Sequence, residues 1–241
     1  MTPKDAVRKL VRKIKTGPLR RLKNPWAKTS FSQCGEDLIV KFIFDALQIK
    51  DPGYIDIGAH HPFYLSNTAL FHQLGSKGIN VEPDPNLFTE FVKYRKGDVN
   101  LNIGIGAERA EADFYIISSP TLNTFSKKEA ENYKNIGDHY IKQVTKVPIN
   151  TLKNIIEEYA GGKFPAFLNV DAEGVDELII RSIDYENNYP LVMCIETLSF
   201  AAFGKGVKNE ALISYVLSKG YKIYADTYIN TIFIRGNILQ D

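Results

Sequence analysis

The 241-residue chain is 44% hydrophobic and 24% charged with a net charge of +2, proportions of a globular protein large enough for a sizeable core. No apolar run approaches the roughly 18 residues that a membrane-spanning helix needs, and the N-terminus lacks the pattern of a secretory signal. Two cysteines, Cys34 and Cys194, are too few for a disulfide framework, so a reducing cytoplasm is expected, with both as buried packing residues.

The charge is unevenly spread. Residues 1–28 hold ten Lys or Arg against Asp5 alone, whereas the rest carries 20 basic and 27 acidic residues, a net of −7. Val7, Leu10, Val11 and Ile14 recur at helical spacing. This head reads as a basic arm or amphipathic helix, solvated or packed on the domain, with a peripheral membrane or protein contact as the alternative. Gly17-Pro18 and Asn24-Pro25 interrupt it, so the domain proper is expected over 29–241. An acidic body argues against a nucleic-acid partner, which calls for a basic working face.

From Glu36 the chain alternates helix-like and strand-like segments, the pattern of a mostly parallel sheet covered on both faces. Helical spacing spans Glu36–Leu47, Asn67–Leu74 and Asn86–Tyr94; short strands are predicted at Tyr54–Ile57, Gly78–Glu82 and Val99–Ile103. The stretch from Glu111 to Asn150 is less regular: an extra strand over Ala112–Ser118, a Ser/Thr/Asn-rich loop, a polar helix and a short strand near Val144–Ile149. Then follow helix Leu152–Tyr159, strand Ala166–Val170, helix Val175–Ser182, strand Leu191–Ile195 and helix Asn209–Ser218. Strands Lys222–Ala225 and Thr231–Arg235 are too close for a helical crossover, so they must be antiparallel.

In open α/β sheets, ligands bind beyond the carboxyl ends of the strands. The first strand ends in Asp56-Ile57-Gly58-Ala59-His60-His61-Pro62. Gly58 permits close backbone approach, Asp56 suits a cationic ligand, and the G-x-G-x-x-G fingerprint of a dinucleotide pyrophosphate is missing. The second ends in Val81-Glu82-Pro83-Asp84, and an acid there can accept hydrogen bonds from both hydroxyls of a ribose. Together Asp56 and Glu82 point to an adenosyl ligand without phosphate. Asp171, Glu173 and Glu196 follow the later strands. Carboxylates at adjoining strand ends suit a divalent cation such as Mg²⁺, or one of them serves as general base for a hydroxyl. Asp171 alternatively caps the following helix. His60 and His61 share the loop after the first strand, where proton transfer or substrate contact is open to them.

At these residues the sequence resembles the FkbM family of methyltransferases. The resemblance is carried by Ser32-Gln33-Cys34-Gly35-Glu36-Asp37, by Tyr54 to Pro62, by Ser66-Asn67-Thr68 and by Gly78 to Asp84. Asn100 to Gly106, Leu122 to Ser126 and Val170-Asp171-Ala172-Glu173-Gly174 continue it. It implies a Rossmann-like class I methyltransferase, with a mostly parallel seven-stranded sheet, one antiparallel strand and helices on both faces. S-adenosylmethionine is the implied methyl donor. Asp56, Gly58, Glu82 and Asn102 would line it, with Gln33, Gly35, Glu36 and Asp37 as a wall near its amino-acid end. Ser66, Asn67 and Asp171 would add contacts.

The expected activity is methyl transfer to a hydroxyl of a sugar or glycan. Asp171, with His61 or Glu196, is expected to activate that oxygen, and Asp171, Glu173 and Glu196 are the metal candidates. A small-molecule natural product, a lipid head group and a non-catalytic adaptor of the same fold are the rival readings.

Overall fold

Three segments, Tyr54–Ile57 (β1), Gly78–Val81 (β2) and Phe167–Val170 (β7), are buried at every residue, as parallel strands covered on both faces must be. The computed structural model describes residues 26–133, 138–172, 174–198 and 206–238; the expected basic arm lies outside them but for its last three residues. The first half further comprises helices Glu36–Ala46 (α1), Ala69–Gln73 (α2) and Pro85–Tyr94 (α3) and strands Val99–Leu101 (β3), Gly104–Ile105 (β4) and Ala110–Ile117 (β5). The second half comprises helices Lys127–Tyr133 (α4), Leu152–Tyr159 (α5), Asp176–Arg181 (α6) and Glu210–Ser218 (α7). Its strands are Ile141–Asn150 (β6), Val192–Glu196 (β8), Tyr221–Asp226 (β9) and Asn230–Arg235 (β10).

Several helix starts are written locally. Asp84 accepts from the N–H of Asn86 ahead of Pro85, Thr151 from Asn154, and Asn209 from Leu212. Each such cap stabilises by about 1 kcal/mol.

The main sheet has the order β3-β2-β1-β7-β8-β10-β9. Strand β1 runs parallel to both β2 and β7, pairing Asp56 with Asn80 on one side and Asn169 on the other. The chain therefore winds outward from β1 through β2 and β3, then crosses over to β7. This reversal opens a crevice beyond the β1 and β7 ends. β10 is antiparallel to both neighbours and lies between β8 and edge strand β9. The Rossmann-like α/β arrangement is thus present, with the antiparallel strand one place in from the edge.

Two apolar clusters cover the sheet. One joins Leu152, Ile155, Ile179, Leu212 and Val216 to the strands; the other joins Val40, Ile43, Phe44 and Phe71. Cys194 is buried in the second, as expected, but Cys34 is exposed in the turn before α1, contrary to expectation. No helix among the described residues is long and apolar enough to cross a membrane.

The irregular middle forms a separate three-stranded sheet, β4-β6-β5, which contains the extra strand and the short strand expected there. β5 and β6 pair antiparallel from Ala110↔Ile149 to Ile117↔Ile141. Most of β6 is exposed or half-buried, so its sequence, Ile-Lys-Gln-Val-Thr-Lys, carries little of the apolar alternation that marks a strand.

Candidate active site

A cavity of about 470 Å³ opens at the carboxyl ends of β1, β2, β7 and β8, within the range of small-molecule pockets. Asp56, Gly58, Ala59 and His60 line it from β1 and its loop; Glu82 and Pro83 do so from β2. Asn169 and Asp171 reach it from β7 and Glu196 from β8. The small sheet and the 3-10 turn Pro120–Leu122 form the facing wall with Phe114, Leu122 and Phe125.

Asp56 is only 1% exposed. Its Oδ1 accepts from Asn169 Nδ2 at 2.8 Å and its Oδ2 from the Thr68 hydroxyl at 2.5 Å. Burial pushes this carboxyl upward, against those two hydrogen bonds and the nearby Arg95 guanidinium, which favour the anion. Since an ionised Asp56 only accepts, Asn169 must turn its Nδ2 toward it and its Oδ1 toward Asn67 Nδ2, 2.8 Å away. That fixes the Asn67 amide and leaves its Oδ1 buried without a hydrogen-bond partner. Asn67 borders the cavity.

Glu82 spans the first two strand ends. Its carboxylate accepts the backbone N–H groups of His60 and Asp84, both at 2.7 Å. Burial outweighs these bonds and pushes its carboxyl up to about 8. Asn102 does not reach the cavity. Its Nδ2 donates to the carbonyls of Glu82 and Pro83, both at 2.9 Å, and so braces the turn that carries Glu82.

Gly58 has φ +74°, and a Cβ there would stand 1.7 Å from the Asp171 carbonyl oxygen. The Asp171 N–H donates to the Ile57 carbonyl at 3.0 Å. The glycine is thus required by the neighbouring backbone, whatever ligand lies above it. Asp171 does not cap the next helix. The turn N–H groups of Ala172 and Gly174 go to Asp176, at 2.8 and 3.3 Å. Asp171 faces the water of the open cavity, yet lies deep enough that desolvation, followed by the charge of Asp176, pushes it up to about 7. Glu196, which borders the same cavity, counters part of that upward push.

A model of the FkbM methyltransferase domain matches residues 56–223. The chain belongs to the FkbM methyltransferase family. The matched span begins at Asp56 and contains the carboxyl ends of β1, β2, β7 and β8. No curated protein matches the chain. Among solved structures it is similar to a TehB-like SAM-dependent methyltransferase from Corynebacterium glutamicum, at 10% identity and a TM-score of 0.41. That likeness covers 96% of this chain and 97% of the other.

Of the residues anticipated from the sequence of this FkbM chain, Gln33, Asp56, Gly58, Ser66, Asn67, Glu82, Asp171 and Glu196 border the cavity. Gly35, Glu36, Asp37, Asn102 and His61 do not. Gly35 is the left-handed residue ahead of α1, with φ +92°. Glu36 is fully buried and accepts from Thr227, Asn230 and the Cys34 N–H. Despite desolvation, those bonds hold its carboxyl below the usual range. Asp37 accepts from Ser30, Ser32 and the Phe31 N–H. Both acids therefore fasten the segment that presents Gln33.

His61 does not border the cavity, and its Nδ1 accepts from the N–H groups of Phe63 and Tyr64. His60, with φ +55°, lines the cavity instead, and burial followed by the charge of His61 pushes its imidazole pKa down. Glu173 lies outside the described residues. Among the described residues no three His, Cys, Asp or Glu side chains form a group able to hold a metal ion, so the anticipated Mg²⁺ finds no support. Sequence reasoning gave no role to Asn169, to Thr68 or to the individual residues of the facing wall. A polar Asn inside an otherwise apolar strand was the one available signal for Asn169.

Proposed function

We propose that this chain is an S-adenosylmethionine-dependent O-methyltransferase that methylates a hydroxyl of a sugar or glycan. The observation that carries the reading is the arrangement of four carboxyls, Asp56, Glu82, Asp171 and Glu196, around one cavity. The first two suit the cationic amino-acid end and the ribose of the donor. Leu87, Ile103 and Phe125 supply apolar surface for a purine. When bound, S-adenosylmethionine supplies a methyl carbon activated by its positively charged sulfur.

The residues then have two tasks. Asp56, Asn67 and Glu82 hold the donor, with Gln33, Gly58 and Ser66 adding wall contacts, so that the methyl group faces Asp171. Alignment of oxygen and carbon supplies much of the acceleration. Asp171 accepts the proton of the acceptor hydroxyl, while Glu196, at the same cavity, orients that carboxyl. A base whose pKa lies near 7 is well matched to this work at neutral pH.

Leu65, Leu198 and Ile229 also border the cavity. This apolar rim favours, as a second reading, a hydroxylated natural product of low polarity. Incubation with S-adenosylmethionine and a panel of neutral glycans and such natural products, read as a 14-unit mass increase, separates the two. Calorimetry with S-adenosylhomocysteine tests the donor site alone, and absence of binding would overturn the proposal.

A further inference from the structure

Arg95, directly after α3, is fully buried, although burying a guanidinium is costly unless its charge and donors are matched. Its Nε donates to Asp98 Oδ2 at 3.0 Å. His72 Nδ1 stands 3.1 Å from that same oxygen. One ion pair would suffice for a structural clip, but the remaining donors engage β1 and the segments that follow it. Nη1 donates to the Pro62 carbonyl at 2.9 Å, in the loop that follows β1. Nη2 donates to the Thr68 hydroxyl at 2.8 Å and to the Tyr54 hydroxyl at 2.9 Å.

We propose that Arg95 is a positioning residue for the methyl donor, acting through Thr68 to hold the Asp56 carboxylate beneath the donor's α-ammonium. This rests on the reading of the cavity as the donor pocket. Thr68 has a single hydroxyl hydrogen, and its oxygen already accepts from Arg95. Asp56 as an anion only accepts, so that hydrogen goes to Asp56, at 2.5 Å, a short charge-assisted bond. Arg95 thereby sets the direction of the Thr68 donor, and Thr68 sets the orientation of the carboxylate. The positive charge one hydroxyl away also favours the anion that burial disfavours. Because Arg95 grips the Pro62 carbonyl as well, the loop over the donor and the acid beneath it share one anchor.

The test uses Thr68→Val, which keeps the shape and removes the hydroxyl, Thr68→Ser, which restores it, and Arg95→Lys, which keeps the charge but loses the fork. Calorimetry would compare S-adenosylhomocysteine with 5′-methylthioadenosine, which lacks the amino-acid portion. Thr68→Val is expected to weaken S-adenosylhomocysteine about tenfold while leaving methylthioadenosine within about twofold, and Thr68→Ser is expected to match the parent. In turnover, KM for the donor should rise with kcat nearly kept. Equal weakening of both ligands, or no weakening by Thr68→Val, would overturn the proposal. If Thr68→Val does not fold, the same two-ligand comparison on Arg95→Lys decides. Failure of the parent protein to bind S-adenosylhomocysteine would instead remove the donor-pocket reading itself.

Discussion

On the wall formed by β1, β2 and β7, the carboxylates at the cavity are held from behind. Asp56 is gripped by Asn169 and Thr68, and Glu82 by two backbone N–H groups. The facing wall, from β5 and the turn at Pro120–Leu122, meets the cavity with Phe114, Thr121, Leu122 and Phe125. Asn123 Nδ2 donates from this wall to Asp84 Oδ2, at 2.9 Å. The first wall is suited to a ligand that never changes. The second can accept side-chain replacement without disturbing buried charge, which suits a partner that varies from one enzyme to another.

Substitutions on the first wall should therefore be severe, and the most severe is expected at the base. Asp171→Asn should lower kcat by about 100-fold or more, with S-adenosylhomocysteine affinity within about threefold of the parent. The parent's kcat/KM should rise with pH and level off above about 7, as Asp171 loses its proton. A flat profile in the parent would remove Asp171 as base.

Gly58→Ala comes next. A Cβ against the Asp171 carbonyl, at a positive φ, should cost about 3 kcal/mol of stability, measured by urea unfolding. Glu82→Gln keeps the size but loses an acceptor, and should weaken S-adenosylhomocysteine about tenfold in calorimetry. Because Glu82 titrates high in the folded protein, its contribution to stability is present below its unfolded pKa and is lost as pH rises toward about 8. The melting temperature of the ligand-free parent should fall over that window more than that of Glu82→Gln. The smallest effect belongs to the facing wall. Thr121→Ala should leave donor affinity within about twofold and shift only the acceptor KM, by about threefold. A large loss of donor affinity there would erase the contrast between the walls.

The same contrast runs through what could be read from the chain. Asp56, Gly58 and Glu82 were legible because a short apolar strand ending in an acid or a glycine marks a strand end, and strand ends converge in this fold. Glu36 and Asp37 carried the same chemistry but stand at a helix start, where their carboxylates turn back onto residues 30–34, Thr227 and Asn230. No spacing rule separates a ligand's acid from a loop's acid. No spacing rule chooses between His60 and His61 either: His60, at a positive φ, borders the cavity, whereas His61 accepts from its own loop. Arg95 was silent because a cation ending a helix, next to Lys93 and Lys96, reads as a solvated helix terminus. Its burial depends on Asp98, Tyr54 and Thr68, which only the folded sheet brings together. The small sheet was half legible: its strands were visible, but their pairing spans a polar stretch without alternation.

The contact of Gly58 with the Asp171 carbonyl has a mechanical consequence. It welds the loop after β1 to the loop after β7, so neither can swing while the other stays. Opening of the cavity then falls to other segments that border it, Pro120–Phe125 among them. Through such motion the span between donor pocket and base would stay constant, like two teeth on one jaw.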